Sequence, residues 1–270
     1  MNIKITLIKN GDYILFDDLM IEINIGKMID DIEGLAVYDA EREIKNIKAL
    51  IYCEKNGIFD SLYLFDGTAI NKIYFGKYQR ISEDLDLMYD SYTDKIDEDK
   101  INIFRNNEDI LVDIVEHKMF ESPKIHEARS LFYYYGANGA TAKIRSFSLE
   151  YLLAMKTLVF LGRRHVEEKD IFDIYNGFGF GKVKLSPNIE KYKNAFRFLI
   201  SYDQADEPNM TVKESLDFNK KMIDSKYIEG EPISPKMAHP DDIHKMGKTV
   251  YNKLYEILAD SYGLKIYRKE

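Results

Sequence analysis

The sequence predicts an α+β protein in which strands come first and helices follow. Short runs that alternate apolar and polar residues fill the first half of the chain, whereas apolar residues at helical spacing dominate from Leu149 onward. Hydrophobic residues make up 45% of the 270 residues, which is too many for a disordered chain and enough for a buried core. Chains that keep strands and helices in separate segments belong to the α+β class.

The N-terminal region, residues 1–57, predicts a small hairpin sheet followed by a helix. Asn10-Gly11 lies between two alternating runs, and this arrangement is the strongest short-range signal for a hairpin. The later helix has apolar side chains at helical spacing and ends at Asn56-Gly57. The predicted elements are strands at 3–9, 12–16 and 20–26 and a helix at 35–56. No residue of this region indicates a chemical function.

Residues 58–147 predict a core of short strands. A helix can begin in Ala69–Phe75, directly after the turn Asp66-Gly67-Thr68, and Asp94–Lys100 is predicted as a charged loop or short helix. The predicted strands are Ser61–Phe65, Leu85–Tyr89, Ile110–Glu116, Ser130–Tyr135 and Thr141–Arg145.

Residues 148–270 predict a helical C-terminal part. Ser148 suits the N-cap position, with Glu150 in the first turn of a helix that runs to about Arg164. A second helix covers residues 167–175 and ends at Gly177, and the pattern from Ile189 onward is helical and polar.

Composition and charge indicate a cytoplasmic protein. The chain has no run of about 18 uncharged apolar residues, so we expect no membrane partner. Its N-terminus lacks a signal-peptide core, and its single cysteine, Cys53, has no internal disulfide partner. The net charge of −8 argues against a nucleic-acid partner. Residues 143–197, however, hold eleven basic and six acidic residues, which fits either a solvated helical surface or a patch facing phosphates.

Three aspartates predict a metal site. Asp84 and Asp86 are two residues apart in a predicted strand and therefore share a face. Because like charges repel, such a pair favours a bound cation, and Mg²⁺ takes carboxylate oxygens together with substrate phosphates. Asp113, in a neighbouring strand, could complete a set of three around two metals about 3.5–4 Å apart. An Asp-x-Asp pair also occurs on solvated faces, and Asp113 also fits an edge strand facing water.

Further residues are candidates for binding phosphate. Gly67 and Thr68 lie where a strand turns into a helix, and backbone N–H groups at a helix start bind phosphate. Lys156 is the only charge in an apolar helix, so it must reach solvent, pair with a carboxylate or meet an anion. At about 100° per residue it shares a helix face with Arg163, and the two could form a rail for a triphosphate.

Asp170 and Asp173 lie three residues apart on the next predicted helix and are neighbours on one face. The spacing by itself is equally typical of a solvated face.

Four motifs, in this order, resemble the AbiEii/AbiGii-type toxin nucleotidyltransferases of the DNA polymerase β-like nucleotidyltransferase superfamily. They are Phe65-Asp66-Gly67-Thr68-Ala69, Arg80-Ile81-Ser82-Glu83-Asp84-Leu85-Asp86-Leu87, Leu149–Lys156, and Arg163 followed by Lys169–Tyr175. The resemblance covers about residues 60–180. It implies a polymerase β-like catalytic core with a mixed sheet and helices over 58–147, followed by a helical domain over 148–270. Asp66 departs from the family, because it replaces a glycine and adds negative charge beside the presumed phosphate site.

The resemblance also implies roles for individual residues. Asp84, Asp86 and Asp113 would hold a two-metal Mg²⁺ site, with Mn²⁺ as the alternative ion, and Asp113 would help to activate the acceptor hydroxyl. The implied catalytic set is Asp84, Asp86, Asp113, Lys156 and Asp170; the implied nucleotide-binding set is Gly67, Thr68, Arg80, Ser82, Lys156, Arg163 and Asp173. The implied partners are an NTP, an RNA acceptor such as tRNA, and a cognate antitoxin.

We therefore expect a metal-dependent nucleotidyltransferase that transfers an NMP from an NTP to an acceptor hydroxyl, with a toxin role implied by the resemblance. Two alternatives remain open. One is a catalytically silent NTP- or partner-binding protein of the same fold, which Asp66 suggests. The other is a Mg²⁺-dependent nuclease that combines Asp84 or Asp86 with Glu116 and Lys118.

Overall fold

The protein is a mixed α+β structure of small sheets and helices, as the sequence predicts. The computed structural model describes residues 7–8, 13–16, 19–82, 84–90, 111–137, 139–202, 208–230, 233–235 and 242–269. The predicted segment Asp94–Lys100 lies outside these residues.

The N-terminal sheet has three antiparallel strands, β1 (Leu7–Ile8), β2 (Tyr13–Phe16) and β3 (Leu19–Asn24). Leu7 pairs with Ile14, which confirms the predicted hairpin, although its Asn10-Gly11 turn lies outside the described residues. Helix α1 (Ile25–Asp31) follows without having been predicted, and α2 (Val37–Lys55) matches the predicted helix.

The sheet that carries the candidate site has the order β4-β5-β6. Its strands are β4 (Tyr63–Leu64), β5 (Asp84–Tyr89) and β6 (Leu111–Glu116). Strand β4 pairs antiparallel with β5, whereas β5 pairs parallel with β6, so this three-stranded sheet is mixed. Between β4 and β5 the chain forms helix α3 (Asp66–Ile70), a π-helical turn (Asn71–Phe75) and a 3₁₀ turn (Gly76–Tyr78).

A two-stranded antiparallel sheet joins β7 (Lys124–Arg129) and β8 (Thr141–Ser146). The prediction of a strand at Ser130–Tyr135 is wrong, because this segment is a 3₁₀ helix (Leu131–Tyr135). The Ser130 hydroxyl accepts a hydrogen bond from the Phe132 N–H at the start of that helix, and Gly136 ends it with φ +98°. This is the local chemistry of a capped turn rather than of a strand.

The C-terminal part is mainly helical, as predicted. Ser148 accepts a hydrogen bond from the Tyr151 N–H and caps the first of these helices, which ends at Gly162 rather than Arg164. None of the helices in the described ranges has both the length and the apolar character of a membrane span. The helices are α4 (Leu149–Gly162), α5 (Glu168–Gly177), α6 (Ile189–Tyr202), α7 (Val212–Asp224) and α8 (Ile243–Ile257). The short strands β9 (Met210–Thr211) and β10 (Lys265–Ile266) pair antiparallel.

Candidate active site

Strands β5 and β6 bring three predicted carboxylates onto one face of the sheet. In the parallel register Asp86 lies directly beside Asp113, and Asp84 precedes Asp86 by two residues. Side chains at paired positions, and at positions two apart, point to the same side of a sheet. Asp84 and Asp86 are half-buried, whereas Asp113 is exposed. The three residues therefore form an acidic face that is partly covered at Asp86 and open at Asp113.

The electrostatics of this face are unfavourable for negative charge. Burial, together with the carboxylates of Asp66, Asp84 and Asp113, raises the pKa of Asp86 to about 8, and Lys156 only partly offsets the rise. No direct hydrogen bond or ion pair to the carboxylates of Asp84, Asp86 or Asp113 is found within the described residues. Bound positive charge would relieve this repulsion.

The donor chemistry of the acidic face suits a divalent cation, because carboxylate oxygens are the ligands that Mg²⁺ prefers. No group of three His, Cys, Asp or Glu residues in the described part of the chain, however, is already gathered at metal-binding distance. The residues thus fit Mg²⁺ in the chemistry of their donor atoms, and Asp84, Asp86 and Asp113 are the residues that would hold it.

Lys156 lies beside this face at the centre of a buried ionic network. It is completely buried on α4, and its Nζ lies 3.0 Å from Asp66, 3.0 Å from Asp170 and 3.5 Å from Asp173. Burial alone would lower the pKa of Lys156, but these three carboxylates outweigh it and raise the pKa above its usual value. Of the readings that the sequence left open for Lys156, the structure shows pairing with carboxylates.

Arg80 occupies a second position in the network. It is nearly buried and forms a bidentate pair with Asp173, with Nε 3.0 Å from Oδ1 and Nη2 2.7 Å from Oδ2. Asn71, which the sequence did not single out, donates to Asp173 and to the Gly67 carbonyl, and its Oδ1 accepts from the Arg80 N–H. Asn71 could have been identified from the sequence as a polar residue in the apolar run after Gly67, because a buried amide needs hydrogen-bond partners. Asn71 therefore holds the segment at Gly67 and the segment at Arg80 in place relative to Asp173.

The proposed rail of Lys156 and Arg163 is not formed as predicted. Helix α4 ends at Gly162, and Arg163 has extended backbone dihedrals, φ −72° and ψ 150°. The two cations still converge, because Arg163 Nε lies 2.8 Å from one Asp170 oxygen while Lys156 contacts the other. Arg163 also pairs with Glu167. Both side chains are therefore engaged with protein carboxylates rather than aligned along a helix face.

Gly67 and Thr68 have structural partners where the sequence suggested phosphate contacts. The Thr68 hydroxyl donates to the Asp84 carbonyl at 2.8 Å and ties α3 to β5. Gly67 lies against the Arg80–Asp173 pair, and a Cβ there would overlap Arg80 Nη2. Both residues are buried, and Gly67 also bonds to neighbours through its backbone, its N–H to Asp66 and its carbonyl to Asn71, so these two residues help to build the site.

Ser82 presents an unpaired hydroxyl next to the acidic face. The residue is 1% exposed, and its Oγ has no hydrogen-bond partner within the described residues. Its carbonyl accepts from Asn46 Nδ2 at 2.6 Å, which holds the backbone in place two residues before Asp84. A buried hydroxyl without a partner is uncommon and is consistent with a position that a ligand completes.

The arrangement required for the nuclease alternative is absent. In the β5–β6 register Glu116 pairs with Tyr89, five positions from Asp84, which corresponds to roughly 16 Å along the strand. Glu116 also points to the face opposite that of Asp84 and Asp113, because it is an odd number of residues from Asp113. Lys118 Nζ instead lies 4.4 Å from the centre of the Tyr202 ring. The three residues do not form one site.

The basic surplus of residues 143–197 is largely neutralised by contacts within the protein. Lys191 pairs with Glu121 and Glu150, and Lys193 and Arg197 pair with Asp260. These contacts favour the solvated-surface reading over an extended phosphate-facing patch.

Comparison with known proteins adds no assignment: the chain matches no protein-family model and no curated protein sequence.

Proposed function

We propose that this protein is a metal-dependent nucleotidyltransferase whose active site is the acidic face beside Lys156. The observation that supports it most strongly is the placement of Asp84, Asp86 and Asp113 on one face of a parallel strand pair, with their carboxylates free of direct partners in the described residues. Lys156 acts electrostatically on Asp86 and supplies buried positive charge at the edge of this face. The buried hydroxyl of Ser82, which has no hydrogen-bond partner in the part of the chain that the structure describes, adds a donor nearby.

In the proposed reaction an acceptor hydroxyl attacks the α-phosphorus of an NTP. The new oxygen–phosphorus bond forms as the bond to pyrophosphate breaks, and the hydroxyl proton passes to the exposed Asp113 carboxylate. Bound Mg²⁺, held by Asp84 and Asp86, would supply positive charge to the phosphate oxygens. Lys156 offsets charge on the departing pyrophosphate. The acceptor class is RNA such as tRNA, and a toxin role and a cognate antitoxin belong to the same proposal through the resemblance. A cytoplasmic location belongs to it through the composition of the chain.

A transfer assay tests the proposal. The intact protein is incubated with each of the four NTPs, labelled at the α- or the γ-phosphate, with Mg²⁺ and total RNA. We expect α-label but no γ-label in the RNA, and no transfer in EDTA. Asp86→Asn and Asp113→Asn should each lower the rate by about 100-fold or more. The amide is isosteric and removes a charge that burial disfavours at Asp86, so Asp86→Asn keeps the fold.

The matched control is Asp217→Asn, which removes an aspartate paired with Lys213 on the surface of α7 and should leave transfer unchanged. Transfer that survives both site substitutions would refute the site. Incorporation of γ-label would refute the reaction.

A second candidate is a catalytically silent NTP- or partner-binding protein. It is favoured by the pairing of Arg80, Lys156 and Arg163 with protein carboxylates. NTP binding by the intact protein without label transfer to any RNA would support this candidate over the enzyme.

A further inference from the structure

Asp66 lies between the acidic face and Lys156. Its carboxylate is 3.0 Å from Lys156 Nζ, and it is close enough to Asp86 to contribute to the raised pKa of that residue. A phosphate group that contacted both a cation on Asp86 and the Lys156 ammonium would have to occupy this same region. The Asp66 carboxylate therefore occupies the place that a bound phosphate would take.

Of the described carboxylates that contact Lys156, only Asp66 borders solvent. Its side chain is 21% exposed, whereas those of Asp170 and Asp173 are 0% exposed. Moving either buried aspartate would leave a buried cation without its partner, which is strongly unfavourable. Asp66 can instead turn toward water and be hydrated there.

The backbone at Asp66 is held in an uncommon conformation. Its φ is +54°, in the left-handed region that non-glycine residues rarely adopt. Both Asp66 oxygens lie 3.0 Å from Lys156 Nζ, but Oδ1 makes no hydrogen bond within the described residues. The carboxylate also accepts a hydrogen bond from the Gly67 N–H. The Asp66–Lys156 pair therefore has one hydrogen bond, whereas the bidentate Arg80–Asp173 pair has two.

The balance of charges around Lys156 also favours replacement of Asp66 by another anion. The network contains four carboxylates and four cations and is neutral while Asp66 points inward; its members are Asp66, Glu167, Asp170, Asp173, Arg80, Lys156, Arg163 and Lys169. When Asp66 leaves, one positive charge on Lys156 is unmatched. An incoming phosphoryl oxygen restores neutrality at the same place.

We propose that the Asp66 carboxylate is the resident occupant of an anion site on Lys156, and that a phosphoryl group binds there when Asp66 turns outward. The inference rests on the proposed function for the identity of the ligand class, a phosphoryl anion such as the pyrophosphate part of an NTP. Asp66 thereby sets the affinity for phosphate by competing for Lys156.

Inorganic pyrophosphate in EDTA is the probe, with binding to the full-length protein measured by titration calorimetry. Asp66→Asn removes the charge and keeps a residue that tolerates positive φ. We expect this variant to bind pyrophosphate at least about tenfold more tightly than the intact protein, because the competing charged hydrogen-bond acceptor is gone. Asp260→Asn, which frees Lys193 and Arg197 from an exposed aspartate that does not contact Lys156, should bind like the intact protein.

The double variant Asp66→Asn/Lys156→Met keeps the network neutral, so its fold does not carry an unpaired buried charge. It should lose the gain in affinity. Equal affinity of Asp66→Asn and the intact protein would overturn the inference, as would a gain that persists in the double variant. The label-transfer assay judges the proposed function separately: a gain in pyrophosphate affinity without any transfer would support the anion site while refuting the enzyme.

Discussion

At position 67 a side chain would collide with an ion pair, whereas the backbone conformation of Gly67 would allow one. A Cβ at this position would overlap Arg80 Nη2 and lie 3.0 Å from Asp173 Oδ2. We predict that Gly67→Ala lowers the free energy of unfolding by roughly 2–4 kcal/mol, because the methyl group must displace a buried bidentate pair. Urea unfolding followed by circular dichroism measures the change.

Gly263 provides the matched control. A Cβ there would meet no atom within 4 Å, and its φ lies outside the left-handed range. Gly263→Ala should therefore change stability by about 0.5 kcal/mol or less. Similar losses in both variants would show that the Arg80–Asp173 pair does not restrict position 67.

At the same scale, the sequence indicated where charge would be buried but not how it would be paired. Lys156 stood out as one cation in an apolar helix, and the structure gives it three carboxylate partners. Arg163 was assigned to the same helix face because spacing alone does not reveal that α4 ends at Gly162. Asn71 was missed, since its partners come from segments that only the fold brings together. Sequence patterns thus locate buried polar groups better than they identify their contacts.

Among the elements, strands with apolar alternation were predicted and strands without it were not. Strand β5 alternates carboxylates with buried leucines and was recognised, together with its parallel neighbour β6. Strand β7 was missed because most of its side chains are exposed or partly exposed, and Ile125 is 71% exposed. Its strand conformation comes from pairing with β8, a long-range contact that leaves little periodicity in the sequence.

Helix α2 is attached to the rest of the fold by a buried ion pair. Glu43 on α2 pairs with Lys72 in the π-helical turn, and both side chains are 0% exposed. Glu43 Oε1 also accepts hydrogen bonds from the Ser130 hydroxyl and the Leu131 N–H. Burial lowers the pKa of Lys72 by more than Glu43 raises it, so the folded-state pKa lies below the ordinary value of 10.5.

We predict that Glu43→Gln destabilises the protein by about 3–5 kcal/mol near pH 7, and that the loss shrinks as the pH rises toward 10. Without Glu43 the folded-state pKa of Lys72 falls further, while the unfolded chain keeps its ordinary value. Between these two values the unfolded state binds the extra proton, so stability rises with pH. Urea unfolding at pH 7, 8 and 9 measures the trend.

Glu41→Gln, on the exposed side of α2, is the control and should show a small, pH-independent change. A loss for Glu43→Gln that stays constant over this pH range would contradict the electrostatic explanation.

For the whole molecule, the buried apolar residues form one cluster that extends from Met28 to Ile266. Helix α2 contributes part of it, burying its apolar side against β8. At the other end, Arg268 donates to the Leu161 carbonyl at 2.9 Å and to the Ser215 hydroxyl at 2.7 Å, which fixes the C-terminal segment to the end of α4. Contacts that join distant parts of the chain in this way favour cooperative unfolding.

We predict that a fragment of residues 58–270 does not fold independently, even though residues 1–57 were distinguished from the core by sequence pattern. Removing them exposes the surface that α2 covers and leaves Lys72 buried without Glu43. Circular dichroism and tyrosine fluorescence should give coincident urea transitions for the intact chain and no cooperative transition for the fragment. If the fragment unfolds cooperatively with a midpoint near that of the intact protein, residues 1–57 form a separate unit and the Glu43–Lys72 pair joins two domains that are stable without it.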